Sequence, residues 1–368
     1  MLKYNIKPDL PLLAVTIILI ISGILILSSI SASFSFEKFN NTYYYLKHQF
    51  LAGILPGIII FFLAYLIPLE FFKKNIIFFL LVSLFLLGIV FLPKIGMSFG
   101  GATRWIKIGP LLFQPSEFLK IAFLIYLASW LANRTFPKKE WNQTLMAFLI
   151  IMAVLSIFLI KQPDIGTLGI IIGFSLIMYF LADSPLWHSI LIILLVIVSL
   201  IILVKVEPYR ANRILVFLNP DTDPMGIGYQ TKQALISVGS GGISGLGLGM
   251  SRQKFGFLPQ TMSDSIFAIF AEETGFVGST ILIILFLFFA WRGFKIARLS
   301  QDRFTKILAV GITSWLSIQA FINIGSMIGL MPLTGVPLPF ISYGGSHLVT
   351  EFFGAGMLLH ISKNTVKS

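Results

Sequence analysis

The chain has 368 residues, of which 57% are hydrophobic and only 11% charged, against roughly a quarter charged in a typical soluble domain. With a mean hydropathy of +0.92, a soluble globular protein is excluded and lipid is its main solvent. The formal charge of +12 is spread among apolar stretches, so no nucleic acid is expected, and anionic lipid or a phosphorylated lipid is the fitting polar partner. The absence of cysteine excludes disulfides, thiolate metal sites and cysteine nucleophiles, and the four His are too scattered to suggest a metal site.

A membrane helix needs about 20 mainly apolar residues, so intervals free of Asp, Glu, Lys and Arg mark the spans. In chain order, 27 such residues separate Asp9 from Glu37, 22 separate Lys47 from Glu70, 19 separate Lys74 from Lys94, and 20 separate Glu140 from Lys161. These are spans one, two, three and five. Span four runs from about Glu117 to Ala132, with Glu117 and Lys120 intruding at its start. Asp164 to Asp183 gives span six, Asp183 to Lys205 span seven, and Asp264 to about Trp291 span eight. The 44 residues between Lys306 and Glu351 exceed one helix and are broken by Pro332, Gly335, Pro337, Pro339, Gly344 and Gly345. They predict helix, irregular loop, helix.

The expected fold class is thus an all-α polytopic membrane protein of about ten transmembrane helices. Residues 1–368 form a single integral membrane domain, and 205–263 are a large extracytoplasmic loop between helices seven and eight. The first apolar run outlasts the ~7–15-residue core of a signal peptide and is expected to be a retained helix. With cytoplasmic termini, the inward segments carry 14 Lys and Arg and the outward ones 12, half of these in the long loop, where the positive-inside rule weighs little. Cytoplasmic termini are expected. Loops three (93–116), five (161–164), seven (205–263) and nine (331–346) then share the outer face and hold most of the unusual polar residues.

Loop seven carries Arg210, Arg213, Arg252 and Lys254, as many cations as a diphosphate headgroup would require, although each also reads as solvated charge. Its Gly-rich stretch, Gly239 to Gly249, lacks the Lys-Ser/Thr ending of a P-loop and follows no predicted strand. It reads as a compact loop of tight turns. Asp264, at the start of span eight, reads as a helix N-cap. It reads equally as a carboxyl at the membrane boundary whose pKa desolvation should raise toward that of a general base. Glu117 and Lys120, on one face of span four, read as an ion pair or the lining of a polar cavity, after a helix start at Pro115 capped by Ser116. Arg104, with Trp105 and Lys107, is interfacial. Asp164, after Gln162 and Pro163, reads as a cap, and Glu272 and Glu273 within span eight need partners.

The motifs RWIKIGPLLFQPSEFLK, KQPDIGT, NRILVFLNP, GSGGISGLGLGMSRQKFGFLP, SDSIFAIFAEETGF and LMPLTGVPLPFISYGGS follow one another along the chain. In them the sequence resembles the SEDS polytopic membrane proteins (shape, elongation, division and sporulation), which include FtsW and RodA. The resemblance implies a ten-helix peptidoglycan glycosyltransferase of the bacterial cytoplasmic (inner) membrane that polymerises lipid II. It also implies work with a class B penicillin-binding protein and other division or elongation proteins. Position by position, Asp264 matches the family's essential loop-seven aspartate, and Glu117 and Lys120 match the important pair of span four. Arg104, Asp164, Arg213, Arg252 and Ser346 fall on family motifs and, with Lys254, are expected at the substrate. Where the family often reads L-P-E-x-H-T-D-F, this chain has Gln260, Met262, Ser263 and Ser265 for the Glu, His, Thr and Phe. The SRQKFGFLP segment resembles FtsW more than RodA.

The implied chemistry is attack by a lipid II C4 hydroxyl on the anomeric carbon of an undecaprenyl-diphosphate-linked glycan, with inversion, Asp264 taking the proton. Cations stabilise the departing diphosphate. A divalent cation, Mg or Mn, rides on that diphosphate rather than in a protein cage, and the polyprenyl tails lie among membrane lipids in apolar grooves between helices. Two other readings stay open: a transporter that flips lipid II, using Glu117 and Lys120 as midplane contacts, and a noncatalytic scaffold.

Overall fold

The computed structural model describes residues 7–93, 95–99, 102–109, 111–134, 141–363 and 365. Helix α1 (Leu10–Phe39) starts where the Asp9 carboxylate accepts the Leu12 amide, with a proline in the first turn, where no amide is missed. Next, α2 (Tyr44–Gln49) passes through a π-turn at Phe50–Ile54 into α3 (Leu55–Leu66). Then come α4 (Leu69–Lys74) and α5 (Ile76–Ile89). Strands β1 (Gly96–Phe99), β2 (Ala102–Ile108) and β3 (Leu111–Phe113) precede α6 (Pro115–Ala132), α7 (Trp141–Lys161), α8 (Ile165–Leu181) and α9 (Leu186–Val206). The chain ends with α10 (Pro208–Leu218), α11 (Ile227–Ser240), α12 (Ile266–Leu299), α13 (Arg303–Met327) and α14 (Gly345–Ser362).

Among the described residues, seven helices are long and apolar enough to cross a membrane: α1, the α2–α3 run, α6, α7, α9, α12 and α13. The expected ten is corrected to seven by this measure, and the reasons are physical. Helices α5 and α8 are apolar but have only 14 and 17 residues. Helix α14 has 18 residues but carries His347, Glu351 and His360, and an interval that ends at Glu351 places it without revealing its polarity. The core lies on α6 and α13, whose side chains are mostly buried, including Phe123, Lys120 and Trp315, whereas α9 is largely exposed on its flanks. Helix α13 packs against α6, α8 and α12, and α14 packs along α3.

Two further expectations change. Loop three is a small antiparallel sheet in the order β1-β2-β3 within an otherwise all-α fold. Loop seven is less irregular than its composition suggests, since it contains α10 and α11.

The Gly-rich stretch has a structural task. Helix α12 is interrupted at Gly275, which adopts φ 66° and ψ −163°. The carbonyls and amides this break frees are taken up by the loop after α11. Leu246 N donates to Glu272 O at 3.0 Å and Gly247 N to Glu273 O at 3.0 Å, while Phe276 N donates to Gly242 O at 2.8 Å and Val277 N to Ile243 O at 3.1 Å. Irregular backbone in a membrane protein is tolerated where protein satisfies it. A Cβ at Gly245, at φ +81°, would be driven into the Glu273 carbonyl, whereas one at Gly242 would meet nothing within 4 Å. Gly245→Ala is therefore expected to cost about 3 kcal/mol, backbone strain plus overpacking. Gly242→Ala should cost about 1 kcal/mol, its positive φ alone. Thermal unfolding in detergent should separate the two midpoints.

Candidate active site

Asp264 sits at the meeting of three segments. Helix α12 begins at Ile266 with Ser265 as its N-cap residue and no side-chain cap bond, so Asp264 is not the cap its position suggested and its carboxylate is not engaged in capping. Its backbone carbonyl accepts from Asn323 Nδ2 at 2.8 Å, and the same Nδ2 donates to Val336 O at 2.8 Å. One α13 amide thus holds Asp264 against loop nine, where Gly335 lies so close that a Cβ there would stand 3.3 Å from Asp264 Oδ2. Ser342 Oγ donates to Ser263 O at 2.6 Å and Tyr343 N to Met262 O at 2.8 Å, closing the same seam. Burial pushes the Asp264 carboxyl above its ordinary range, and a hydrogen bond from Ser263 and the positive charges of Arg104 and Arg213 pull partly against that. A half-buried carboxyl whose proton affinity is raised is a stronger base than an ordinary aspartate, which suits proton abstraction.

The cations arrive from different loops. Arg213 on α10 donates to Leu333 O at 2.8 Å. Arg104 shares the face of β2 that buries Ala102 and Ile106, since alternate strand residues point the same way. Its Nε donates to Gln162 O at 3.3 Å, another nitrogen donates to Pro163 O, and its Nη1 lies 3.8 Å from Asp164 Oδ1. Asp164 is the N-cap of α8, accepting from Thr167 N at 3.4 Å, and also accepts from Ser116 Oγ at 3.0 Å. Ser116 therefore ties α6 to α8 rather than capping α6, whose N-cap residue is Gln114. Ser346 Oγ donates to Leu112 O at 3.2 Å and accepts from Gln114 N at 3.1 Å, joining α14 to the end of the sheet.

Glu117 and Lys120 lie below this surface. They are 2% and 1% exposed and pair at 2.9 Å. Lys120 Nζ also donates to Gln319 Oε1 at 3.1 Å, which accepts from Trp315 Nε1 at 2.9 Å. Gln319 Nε2 donates to Pro337 O at 3.1 Å and to Glu351 Oε1 at 3.0 Å, while Phe340 N donates to Glu351 Oε2 at 2.7 Å. The pair thus acts on loop nine through Gln319 and is too deep to line an open path. Gln319, Asn323, His347 and Glu351 escaped the sequence reading. The available signal was spacing: Gln319 and Asn323, like His347 and Glu351, are four residues apart, which puts two polar groups on one face of an apolar helix.

Loop seven does not gather its four cations. Arg210 donates to Leu203 O at 3.3 Å, and Arg252 is exposed. Lys254 is buried, with Nζ 3.1 Å from Glu273 Oε1 and donating to Gly249 O at 2.6 Å. In this fold it neutralises Glu273, which also accepts from Ser29 Oγ at 2.9 Å. Glu272 accepts from Ser237 Oγ at 3.2 Å, Arg252 N at 3.1 Å and Ser251 Oγ. Both acids brace the α12 break. Among the described residues no three His, Asp or Glu side chains converge on a position that could hold a metal ion.

A family profile described as "Cell cycle protein", covering FtsW, RodA and SpoVE, matches residues 10–367. The chain is 38% identical over 358 residues to Stage V sporulation protein E of Bacillus subtilis (strain 168), covering 97% of each. It is 41% identical over 285 residues to a "Probable peptidoglycan glycosyltransferase FtsW" of Idiomarina loihiensis, covering 76% of this chain and 70% of that one. Among solved structures, it superposes with a TM-score of 0.78 and 26% identity on a chain described under "Structural coordination of polymerization and crosslinking by a peptidoglycan synthase complex", covering 96% and 97%. With the rod shape determining protein RodA of Thermus thermophilus, the TM-score is 0.71 at 25% identity, covering 98% of each chain.

Proposed function

We infer that the chain, which belongs to the FtsW, RodA and SpoVE family, is a peptidoglycan glycosyltransferase embedded in the membrane by multiple helices. The structural observation that carries the reading is the seam that holds Asp264 against loop nine through Asn323 and Gly335, where burial raises its pKa and the charges of Arg104 and Arg213 act on it. In this reading Asp264 removes the proton from the attacking C4 hydroxyl of a lipid II glucosamine. Arg104 and Arg213 oppose the charge that develops on the departing undecaprenyl diphosphate, and exposed Arg252 attracts the anionic headgroup. Asp164 and Ser346 orient these groups: the first holds Arg104, the second fixes α14 to the sheet. Glu117 and Lys120 position loop nine beneath Asp264.

In this reading a divalent cation enters with the substrate and neutralises diphosphate charge. We read the termini as cytoplasmic and Asp264 as lying on the outer face. The support is that loops three, five, seven and nine all contribute to the surroundings of Asp264. A class B penicillin-binding protein is the partner this reading assigns, and similarity to a chain of a peptidoglycan synthase complex supports it. The SRQKFGFLP segment and the FtsW names among the relatives support the FtsW branch. A transporter reading loses its midplane contacts, because Glu117 and Lys120 are buried and paired with each other.

The test is direct. Purified protein, alone and with its class B partner, is incubated in detergent with lipid II and Mg or Mn, and products are resolved by gel. Glycan strands are expected with the partner. No strands under every partner and metal condition, together with lipid II translocation in liposomes, would overturn the reading.

A further inference from the structure

Helix α14 begins at Gly344, which provides no side-chain cap, so the first amides of the helix, at Gly345, Ser346 and His347, lack intrahelical acceptors. The Ser346 hydroxyl is engaged with Leu112 and Gln114, and Gly344 N with Gln49 Oε1 at 2.9 Å. His347 is 7% exposed, and its ring folds back over the helix start: a Cβ on Gly344 would stand 2.6 Å from its Nε2. The other ring nitrogen, Nδ1, is 3.2 Å from Glu351 Oε1. Both Glu351 oxygens already accept hydrogen bonds, from Gln319 Nε2 and Phe340 N, so Nδ1 must be the donor in that pair. Nε2 is then buried with no hydrogen-bond partner among the described residues, packed against the helix start at Gly344.

We propose that the N-terminus of α14, with His347 Nε2 as its side-chain ligand, binds a phosphate of the polyprenyl diphosphate, an assignment that rests on the glycosyltransferase reading. Three features select an anion of this kind. A helix start carries partial positive charge and aims its amides outward. Gly344 and Gly345 place no side chain of their own at the helix start. An imidazole held by a carboxylate at Nδ1 gains its second proton at Nε2 when an anion arrives there, so the ring becomes a charge-assisted donor. The placement fits the chemistry, because Ser342 and Tyr343 hydrogen-bond to Ser263 and Met262. The anion would therefore lie beside the segment that carries Asp264, with base and leaving group close to one anomeric carbon.

The experiment compares wild type with His347→Gln, which keeps a hydrogen-bonding end but cannot become cationic. KM for lipid II and competition by farnesyl diphosphate, farnesol and phosphatidylglycerol are measured, and farnesyl diphosphate binding is followed separately by calorimetry. H347Q should raise KM for lipid II and weaken farnesyl diphosphate about tenfold or more, the worth of one charged hydrogen bond, with kcat changed much less. Inhibition by farnesol should not move. Undiminished farnesyl diphosphate affinity in H347Q would overturn the site. So would phosphatidylglycerol competing as well as farnesyl diphosphate and losing equally on substitution, because that marks a general lipid headgroup site. If H347Q elutes as aggregate, H347N supplies the same comparison. Calorimetry keeps the two readings apart: a wild type that makes no strands counts against the glycosyltransferase, and H347Q binding as wild type does counts against the phosphate site.

Discussion

Asp264→Asn is expected to reduce lipid II polymerisation about a thousandfold, in the middle of the ~10²–10⁴-fold range of general-base catalysis, while the protein stays folded. The fold should survive because the structural bonds at this residue are made by its backbone carbonyl to Asn323, and the side chain caps no helix. The pH dependence sharpens the expectation. Burial raises the Asp264 pKa, and a base must be unprotonated, so wild-type activity should climb with pH through a value above the ordinary ~3.9 of aspartate. Stability should follow the opposite sign. A carboxyl whose folded-state pKa is raised holds its proton more tightly when folded, so its ionisation costs stability as pH rises from the unfolded pKa to the folded one. Asn removes that cost, and the variant should melt at or above the wild-type midpoint at neutral pH. The difference should fade as pH falls through the same window. Full activity in Asp264→Asn would exclude the general-base role.

How far the sequence leads depends on whether the signal is local. Gaps between charges locate α1, α7 and α9 closely, because lipid demands uninterrupted apolar length. Gaps fail to grade α5 and α14: the first is too short for a standard span, and the second is an uncharged stretch up to Glu351 that is rich in polar contacts. The sheet of loop three was missed because β2 is only seven residues long and sits among glycines. Asp264, Arg104 and Arg213 were legible as candidates by charge at a membrane boundary. The pairing of Lys254 could not be read from the sequence because its partner, Glu273, is 19 residues away, on a helix whose break is repaired by the Gly-rich stretch. Tertiary pairing of that kind leaves no periodic trace. The surrounding polar network was invisible for a related reason: Gln319 and Asn323 carry no charge, so they sit inside an interval that reads as plain membrane helix.

Lys120→Met is expected to destabilise the protein by about 3–5 kcal/mol, the cost of leaving a buried carboxylate without its partner. Among the described residues Glu117 would keep only Thr350 Oγ1, at 3.3 Å, as a side-chain donor, and Gln319 Oε1 would lose its bond from Lys120 and keep that from Trp315. The double variant Glu117→Gln, Lys120→Met removes both charges and should recover much of that loss, since the uncompensated ion, and not the absent bond, carries most of the penalty. Such a recovery is the non-additivity expected of a contacting pair. Activity should not recover with it, because the link from Lys120 through Gln319 to Pro337 O would still be missing and loop nine would be less firmly held beneath Asp264. Thermal unfolding in detergent and polymerisation measured on the same three proteins separate the two effects. A Lys120→Met protein that melts like wild type yet makes no glycan would mean instead that the ammonium touches substrate. The 1% exposure of Lys120 argues against that outcome, since an ammonium reached by a lipid headgroup would need an opening through α6, α13 and α14, which the network among those helices keeps closed.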